Sequence, residues 1–254
     1  RAWPRTEGSR FRRAATLNAA LLRSVHTFED ELEESSRLTH ALLPPTQYVL
    51  TRALGVGNEK AYVGRDGWLF FRPEIDYLTG PGFLQPAQLA RRAAAGSEWE
   101  APPHPDPVPA VLHFGAQLAA RGIELVVMPV PVKPMIHPER FAPGYEDADG
   151  PLQNSSYGEF VERVRAGGVR VFDAAAWLAQ ARRESGAAQY LATDTHWRPE
   201  AMEAIAARLA VVVRQAGRLG PAGGATALGA PPRRTVTVTN QGDIAAMLRL
   251  PASS

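Results

Sequence analysis

Apolar and polar positions repeat with two different periods along this chain, and the periods predict different elements. From Phe11 to Leu43, apolar residues recur every three or four positions, which predicts a long helix that Pro44-Pro45 ends. Ala61–Phe71 contains two β-prone runs on either side of Asp66-Gly67, and this pattern predicts a hairpin. The first 71 residues are therefore expected to form a helix followed by a small antiparallel ribbon.

After a Gly- and Pro-rich connection over residues 80–109, which holds one short helix near 87–95, apolar runs and helical patterns alternate. Helices are predicted at 108–121, 157–165, 174–183, 199–216 and 242–250, and strands at 123–130, 169–172, 190–192 and 234–239. This alternation implies βαβ units, so the predicted fold class is α/β with a parallel sheet flanked by helices. Such sheets carry reactive residues on loops at strand ends, and the loop at 193–198 has that position.

Composition narrows the classes of function. The hydrophobic fraction of 45% is enough for a real core, and a net charge of +2 gives no argument for nucleic acid as a partner. Because the chain has no cysteine, disulfides, thiolate catalysis and cysteine-bound zinc are excluded. No apolar stretch reaches the roughly 18 residues of a membrane span. No signal peptide is visible, but the chain begins with Arg1, so N-terminal sequence is expected to be missing.

The loop Thr193–Arg198 contains the strongest candidate chemistry. Asp194 lies two residues before His196, so both side chains can lie on one side of a non-helical loop. The carboxylate can then orient the imidazole, and the free ring nitrogen can take a proton from a hydroxyl nucleophile. The alternative is a helix-start loop in which Asp194 or Thr195 caps the next helix and His196 only packs.

Four stretches resemble one family. Tyr190–Met202 is similar to the Asp–His block of the alginate O-acetyltransferase family (the AlgJ/AlgX type, with an SGNH-hydrolase-like domain). Asn58–Phe70 resembles the opening hairpin of that domain, and Glu124–Ile136 its first buried strand and turn. Gln241–Pro251 resembles the stretch before the serine block. The predicted organisation is an N-terminal helical segment, residues 1–57, followed by an SGNH-hydrolase-like catalytic domain, residues 58–254.

The resemblance implies a mechanism and an incomplete triad. Asp194 and His196 are the implied catalytic pair, and an acetyl-serine intermediate passes its acetyl group to hydroxyls of an exported polysaccharide. The family's serine lies in a downstream Gly-[Asp/Thr]-Ser turn, which does not occur before the chain stops at Ser254. The chain is therefore expected to be incomplete at its C-terminus and inactive by itself.

The resemblance also implies surroundings for the reaction. No metal or diffusible cofactor is needed, and a membrane-bound O-acyltransferase supplies the acetyl groups. The implied location is the periplasm, with an inner-membrane anchor in the missing N-terminal sequence as one option.

Two further residues are candidates for substrate binding. Lys133 follows a buried strand, where it either meets an acidic sugar or is a solvated turn lysine. Trp197 either stacks on a sugar ring or wedges the loop against the core. His137-Pro-Glu139 lacks the spacing of a metal site.

Three alternatives to the acetyltransferase stay open. One is a carbohydrate esterase or deacetylase with the same machinery, which differs only in whether water or a sugar takes the acetyl group. Another is a non-catalytic polysaccharide-binding component of an export complex. The last is a plain structural domain in which the four matches are coincidence.

Overall fold

The computed structural model describes residues 36–94, 104–146, 150–216, 234 and 236–251. The chain divides into two compact units, of which Gly55–Leu248 is one and the residues on either side of it are the other. None of the helices in these ranges meets the length and hydropathy that a membrane span requires. The predicted domain division between residues 57 and 58 stays a prediction.

Helix α1, Arg37–Leu54, corrects the predicted end of the first helix. It contains Pro44 and Pro45, where the sequence predicted a stop. Each proline removes one N–H donor from the helix, but its fixed φ is itself close to the helical value, so the backbone continues through both positions. The earlier part of the predicted helix, up to residue 35, lies outside the described residues.

The hairpin is confirmed in position and turn. Strands β1 (Ala61–Val63) and β2 (Leu69–Phe71) pair antiparallel, with Ala61 opposite Phe71. Asp66 and Gly67 both have positive φ, at 53° and 79°, and Trp68 N donates to Arg65 O at 3.0 Å. Two consecutive positive φ values define the type I′ turn that matches strand twist, which explains why Asp-Gly is found there.

The rest of the larger unit mixes short helices with a small parallel pair. In chain order its elements are α2 (Arg72–Thr79), α3 (Pro86–Ala94), α4 (Pro107–Ala119), β3 (Val126–Val127), α5 (Lys133–Ile136), a 3₁₀ turn (Pro138–Arg140), α6 (Tyr157–Ala166), β4 (Arg170–Val171), α7 (Ala174–Ser185), α8 (Pro199–Ala216) and α9 (Asp243–Met247). Strands β3 and β4 are parallel, with Val126 opposite Arg170. The chain is therefore α/β, with a parallel pairing of two residues per strand in the described part.

Three predicted strands are corrected. The strand predicted at 123–130 is reduced to β3, because Pro129 cannot donate to a ladder. The strand predicted at 190–192 is a single antiparallel bridge between Tyr190 and Trp197. Residues 236–239 of the strand predicted at 234–239 have no regular secondary structure, their valines are exposed, and no described strand pairs with them.

Two buried clusters hold the larger unit together. One joins the hairpin to α5, α7 and α8 through residues such as Phe70 and Leu178. The other joins α4, α6 and β4 through residues such as Val164 and Val171. The first cluster lies under the loop that carries Asp194, since Leu69 N of β2 donates to Ala192 O at 2.9 Å.

Candidate functional site

The loop between α7 and α8 is closed by backbone hydrogen bonds across its base. Tyr190 and Trp197 form the bridge, Leu191 N donates to His196 O at 3.1 Å, and Arg198 N donates to Gln189 O at 2.9 Å. These bonds fix the backbone on both sides of the candidate residues. The loop then leads directly into α8, whose Pro199 needs no N–H acceptor in the first turn.

Asp194 and His196 are in direct contact at the tip of this loop. The Asp194 Oδ1 atom lies 2.5 Å from His196 Nδ1 and accepts from the His196 backbone N at 3.0 Å. Asp194 is 8% exposed, whereas the His196 side chain is 76% exposed. A carboxylate on Nδ1 fixes the tautomer that carries its proton there, which leaves Nε2 as the basic atom on the solvent side.

The environment moves the pKa values of the two groups apart. Partial burial raises the pKa of Asp194, but hydrogen bonds from the His196 ring, the His196 backbone and the Asp243 backbone outweigh it, so this pKa is lowered. The hydrogen bond and charge of Asp194 raise the pKa of His196 above its ordinary value. The pair therefore favours a carboxylate beside an imidazole that is readily protonated, as a general base requires.

Asp243, which the sequence analysis did not single out, contributes a second carboxylate to this loop. Its Oδ1 accepts from Thr195 N at 2.7 Å, its Oδ2 accepts from Thr195 Oγ1, and its own N donates to Asp194 Oδ2 at 3.2 Å. Gly242 precedes it with a φ of 90°, and a Cβ there would collide with the Thr193 carbonyl. The only sequence signal was its place in the block Gln241–Pro251.

Ligand atoms of Asp194, His196 and Asp243 lie within 4.8 Å of one another, which is close enough to hold a metal ion. All four oxygens of the two carboxylates already accept hydrogen bonds from N–H or O–H donors of this loop and of Asp243. The cluster is thus accounted for by hydrogen bonding, and we assign no metal to it.

Lys133 lies beneath the loop and is 0% exposed, so the alternative of a solvated turn lysine is wrong. Its Nζ donates to Leu69 O at 2.8 Å and to Ala192 O at 3.1 Å, which ties the loop to β2. Burial lowers the pKa of Lys133 to about 8 and raises that of its neighbour Glu74 to about 7. Contact between Lys133 and a sugar stays a prediction, and this burial gives it no support.

Trp197 packs inward from the loop. Its Nε1 donates to the Tyr190 hydroxyl at 2.6 Å, and the two rings meet edge to face with centroids 6.4 Å apart. The Tyr190 hydroxyl donates in turn to Pro131 O. Trp197 is partly buried against the larger core cluster, which is the wedge arrangement, while stacking on a sugar stays a prediction.

A second histidine–carboxylate pair lies in the core. His137 Nδ1 is 3.2 Å from Glu139 Oε1, and its Nε2 accepts from Gln189 N at 3.0 Å. Glu139 also accepts from Arg182 at 2.5 Å. Burial lowers the pKa of His137, partly offset by Glu139. Both ring nitrogens are occupied, so this pair is structural.

The chain is similar to known proteins over most of its length. The family model described as the SGNH hydrolase-like domain of the acetyltransferase AlgX matches residues 61–253. The chain is 29% identical over 199 residues to the probable alginate O-acetylase AlgJ of Pseudomonas aeruginosa, covering 78% of this chain and 44% of the relative. It is 28% identical over 200 residues to the protein of that name from Pseudomonas fluorescens, covering 79% and 44%.

The chain spans less than half the length of these curated relatives. Among solved structures, that of Pseudomonas aeruginosa AlgX is similar at 21% identity and a TM-score of 0.42, over 62% of this chain and 32% of that one.

Proposed function

The chain belongs to the family of SGNH hydrolase-like domains of the AlgX acetyltransferase type, and from this premise we propose that it takes part in O-acetylation of an exported, alginate-like polysaccharide. The observation that carries the proposal is the contact between Asp194 and His196, with the imidazole Nε2 exposed. The names of the relatives, which are probable alginate O-acetylases, support the substrate class.

The proposed chemistry is acetyl transfer through a serine. His196 Nε2 takes the proton of the serine hydroxyl as its oxygen attacks the acetyl carbonyl, and the protonated ring returns that proton to the leaving group. A sugar hydroxyl then gives its proton to His196 and takes the acetyl group, and the ring reprotonates the serine. Asp194 stabilises the imidazolium in both half-reactions. No cofactor enters these steps.

The 254 residues contain no Gly-Asp-Ser or Gly-Thr-Ser turn, so the serine has to be identified by experiment. It is best identified by acetylating protein from the full reading frame with an activated acetyl ester and mapping the labelled residue. Label on a serine, lost when His196 is replaced, is expected. Stable label on another residue type would contradict the acetyl-serine route.

The finer features of the fold and setting are part of the same proposal. We propose that β3 and β4 belong to a parallel sheet flanked by helices, as in SGNH hydrolases, and that a membrane-bound O-acyltransferase supplies the acetyl groups. A periplasmic location follows from the export of the polysaccharide. Fractionation of cells that express the full reading frame tests the periplasmic location. Co-purification of the acyltransferase from the same cells tests the partner.

A carbohydrate esterase is the second candidate, and the exposure of the His196 ring favours it because water reaches Nε2 freely. Transferase and esterase differ in whether a sugar or water accepts the acetyl group. Acetylated oligosaccharides incubated with and without an acceptor oligosaccharide separate them. New acetylated acceptor indicates transfer, whereas free acetate alone indicates hydrolysis.

Asp194→Asn is the sharpest test of the pair. The amide lowers the stability of the imidazolium and favours the wrong tautomer, so acetyl turnover is expected to fall by about 10²–10⁴-fold. Glu200→Gln is the matched control, because Glu200 is an exposed carboxylate near His196 whose partner is Arg198. Equal activity of both variants would contradict the proposed role of Asp194.

A further inference from the structure

Asp243 stands beside the Asp194–His196 pair without belonging to any step described above. It begins the short helix α9, whereas the pair lies on the loop before α8. Its Oδ2 is 3.7 Å from His196 Nδ1, beyond hydrogen-bond reach but within strong Coulomb range. The imidazole therefore faces two carboxylates, one bonded and one near.

The second contact of Asp243 is mechanical. Both of its oxygens hold Thr195, the residue between Asp194 and His196, through Thr195 N and Thr195 Oγ1. The neighbouring residues add a further hydrogen bond between the two segments, since Thr193 Oγ1 donates to Gln241 O at 2.9 Å. A loop held at both oxygens of one carboxylate has little freedom to turn His196 away from Asp194.

We propose that Asp243 is a positioning residue for His196, which fixes the loop through Thr195 and presents a second negative charge to the protonated ring. This inference rests on the proposed function only for the role of His196 as the base. The arrangement stabilises the imidazolium whether or not a particular acetyl donor or polysaccharide is bound.

The charges around Asp243 set the expected size of the effect. Asp194 and His196 face it from the loop, and Lys133 and Glu74 face it from α5 and α2. Lys133 offsets part of the combined negative charge of the two aspartates, and the His196 ring is largely exposed. Removing the Asp243 charge is therefore expected to lower the pKa of His196 by about 0.5 to 1 unit at low salt.

The test is an NMR titration of the His196 ring in this chain, with no acetyl donor and no polysaccharide, so a failed transfer assay does not affect it. His196→Ala identifies the signal among the six histidines. Asp243→Asn removes the charge and keeps an oxygen for Thr195 N, while its NH2 group can donate to Thr195 Oγ1 in place of the bond that Oδ2 accepted. We expect a downward shift of the His196 pKa in Asp243→Asn and none in the control Glu200→Gln. A shift that is absent, or equal in both variants, overturns the proposal.

The anchoring of Thr195 by Asp243 is tested separately, by hydrogen exchange. Asp243→Ala removes the acceptors of Thr195, so hydrogen exchange at Thr195 N is expected to speed up at least about tenfold, while Asp243→Asn restores much of the protection. Rescue by asparagine would show that the anchoring of Thr195 depends on the hydrogen bonds of residue 243, whereas the pKa of His196 depends on its charge. Equal exchange in all three proteins would show that Asp243 does not hold the loop.

If the variants do not fold, a measurement on the unmodified chain still tests the proposal. Protonation of the His196 ring places a positive charge 3.7 Å from Asp243 Oδ2, so the ¹³C chemical shift of the Asp243 carboxyl is expected to change as the ring is protonated. The carboxyl of Glu200 provides the internal comparison. An Asp243 signal that does not respond to protonation of the His196 ring would overturn the proposal.

Discussion

Two histidines of this protein each pair with a carboxylate two residues away, and their surroundings give them different properties. His196 contacts Asp194 at the tip of a loop with its side chain 76% exposed, and His137 contacts Glu139 with its side chain 3% exposed. The pKa of His196 is raised by the hydrogen bond with Asp194, and that of His137 is lowered by burial. A histidine–carboxylate pair is thus an exposed ring with a raised pKa in one place and a buried structural contact in the other.

The difference lies in the second nitrogen of each ring. Among the described residues, none forms a hydrogen bond with Nε2 of His196, whereas Nε2 of His137 accepts from Gln189 N. Gln189 is also the residue whose carbonyl receives Arg198 N at the base of the His196 loop. The buried pair therefore supports the backbone on which the exposed pair stands, and a local sequence motif alone does not distinguish the two.

The largest expected effect separates chemistry from folding. His196→Ala is expected to lower acetyl turnover of the full-length protein by at least about 10³-fold, because the base is removed. Its free energy of unfolding is expected to stay within about 0.5 kcal/mol of the unchanged protein, since an exposed side chain contributes little. Turnover assays and urea denaturation of one preparation measure both. Substantial residual turnover in His196→Ala would show that the exposed pair, like the buried pair, is not needed for acetyl transfer.

Replacement of the buried histidine, His137, is expected to affect stability. His137→Leu leaves Gln189 N buried without its acceptor and removes the partner of Glu139, so the free energy of unfolding is expected to drop by about 2–3 kcal/mol. His137→Asn, which can still accept from Gln189 N, is the control and should lose less. Urea denaturation gives the values. If His137→Leu were as stable as the unchanged protein, the pair would not be a structural joint.

pH is expected to affect stability in opposite directions at the two pairs. The lowered pKa of His137 means that its contribution is present above about pH 6.5 and is lost as pH falls through its folded pKa. The raised pKa of His196 means that its smaller, solvent-screened contribution is present below about pH 6.5 and is lost as pH rises through its folded pKa.

Unfolding by urea from about pH 5 to about pH 8 tests these signs. The difference between the unchanged protein and His137→Leu should shrink toward acid, and the difference from His196→Ala should shrink toward base. The same sign for both variants would show that the environments of the two rings do not differ as the geometry indicates.

The smallest expected effect concerns the contact between the two regions. The Tyr190 ring packs edge to face on both Trp197 and His137. Trp197→Phe keeps an aromatic ring but loses the bond from Nε1 to the Tyr190 hydroxyl, so we expect a loss of about 1 kcal/mol in the free energy of unfolding. KM for the polysaccharide should stay unchanged if Trp197 only wedges the loop. A KM that rises several-fold would support stacking on a sugar.

Local features of the sequence predicted local features of the structure. The Asp66-Gly67 turn and the helix from Pro199 to Ala216 were found because their signals lie within the element itself. The contact between Asp194 and His196 was expected for the same reason, since only Thr195 separates them in the chain. The prediction that this pair is catalytic awaits the activity tests.

Features that depend on distant residues were missed or misjudged. Asp243 is 48 residues from Thr195 in the chain, so no local pattern could bring them together. Lys133 was expected either to meet an acidic sugar or to be a solvated turn lysine, but its Nζ donates to carbonyls of residues about 60 positions away. The strand at 123–130 was overestimated because apolar character does not reveal where a pairing partner ends.

The hydrogen bonds between Gln241–Asp243 and Thr193–Thr195 have a consequence for how the protein folds. Those bonds join residues 48 or 49 positions apart, so they form only after a long chain segment has closed, whereas the hairpin closes locally. These bonds therefore form only once the segment between the two ends, which includes α8, is in place, whereas the hairpin can form without it. Transient release of residues 241–243 would free the loop that bears His196 while the hairpin and its core remain folded.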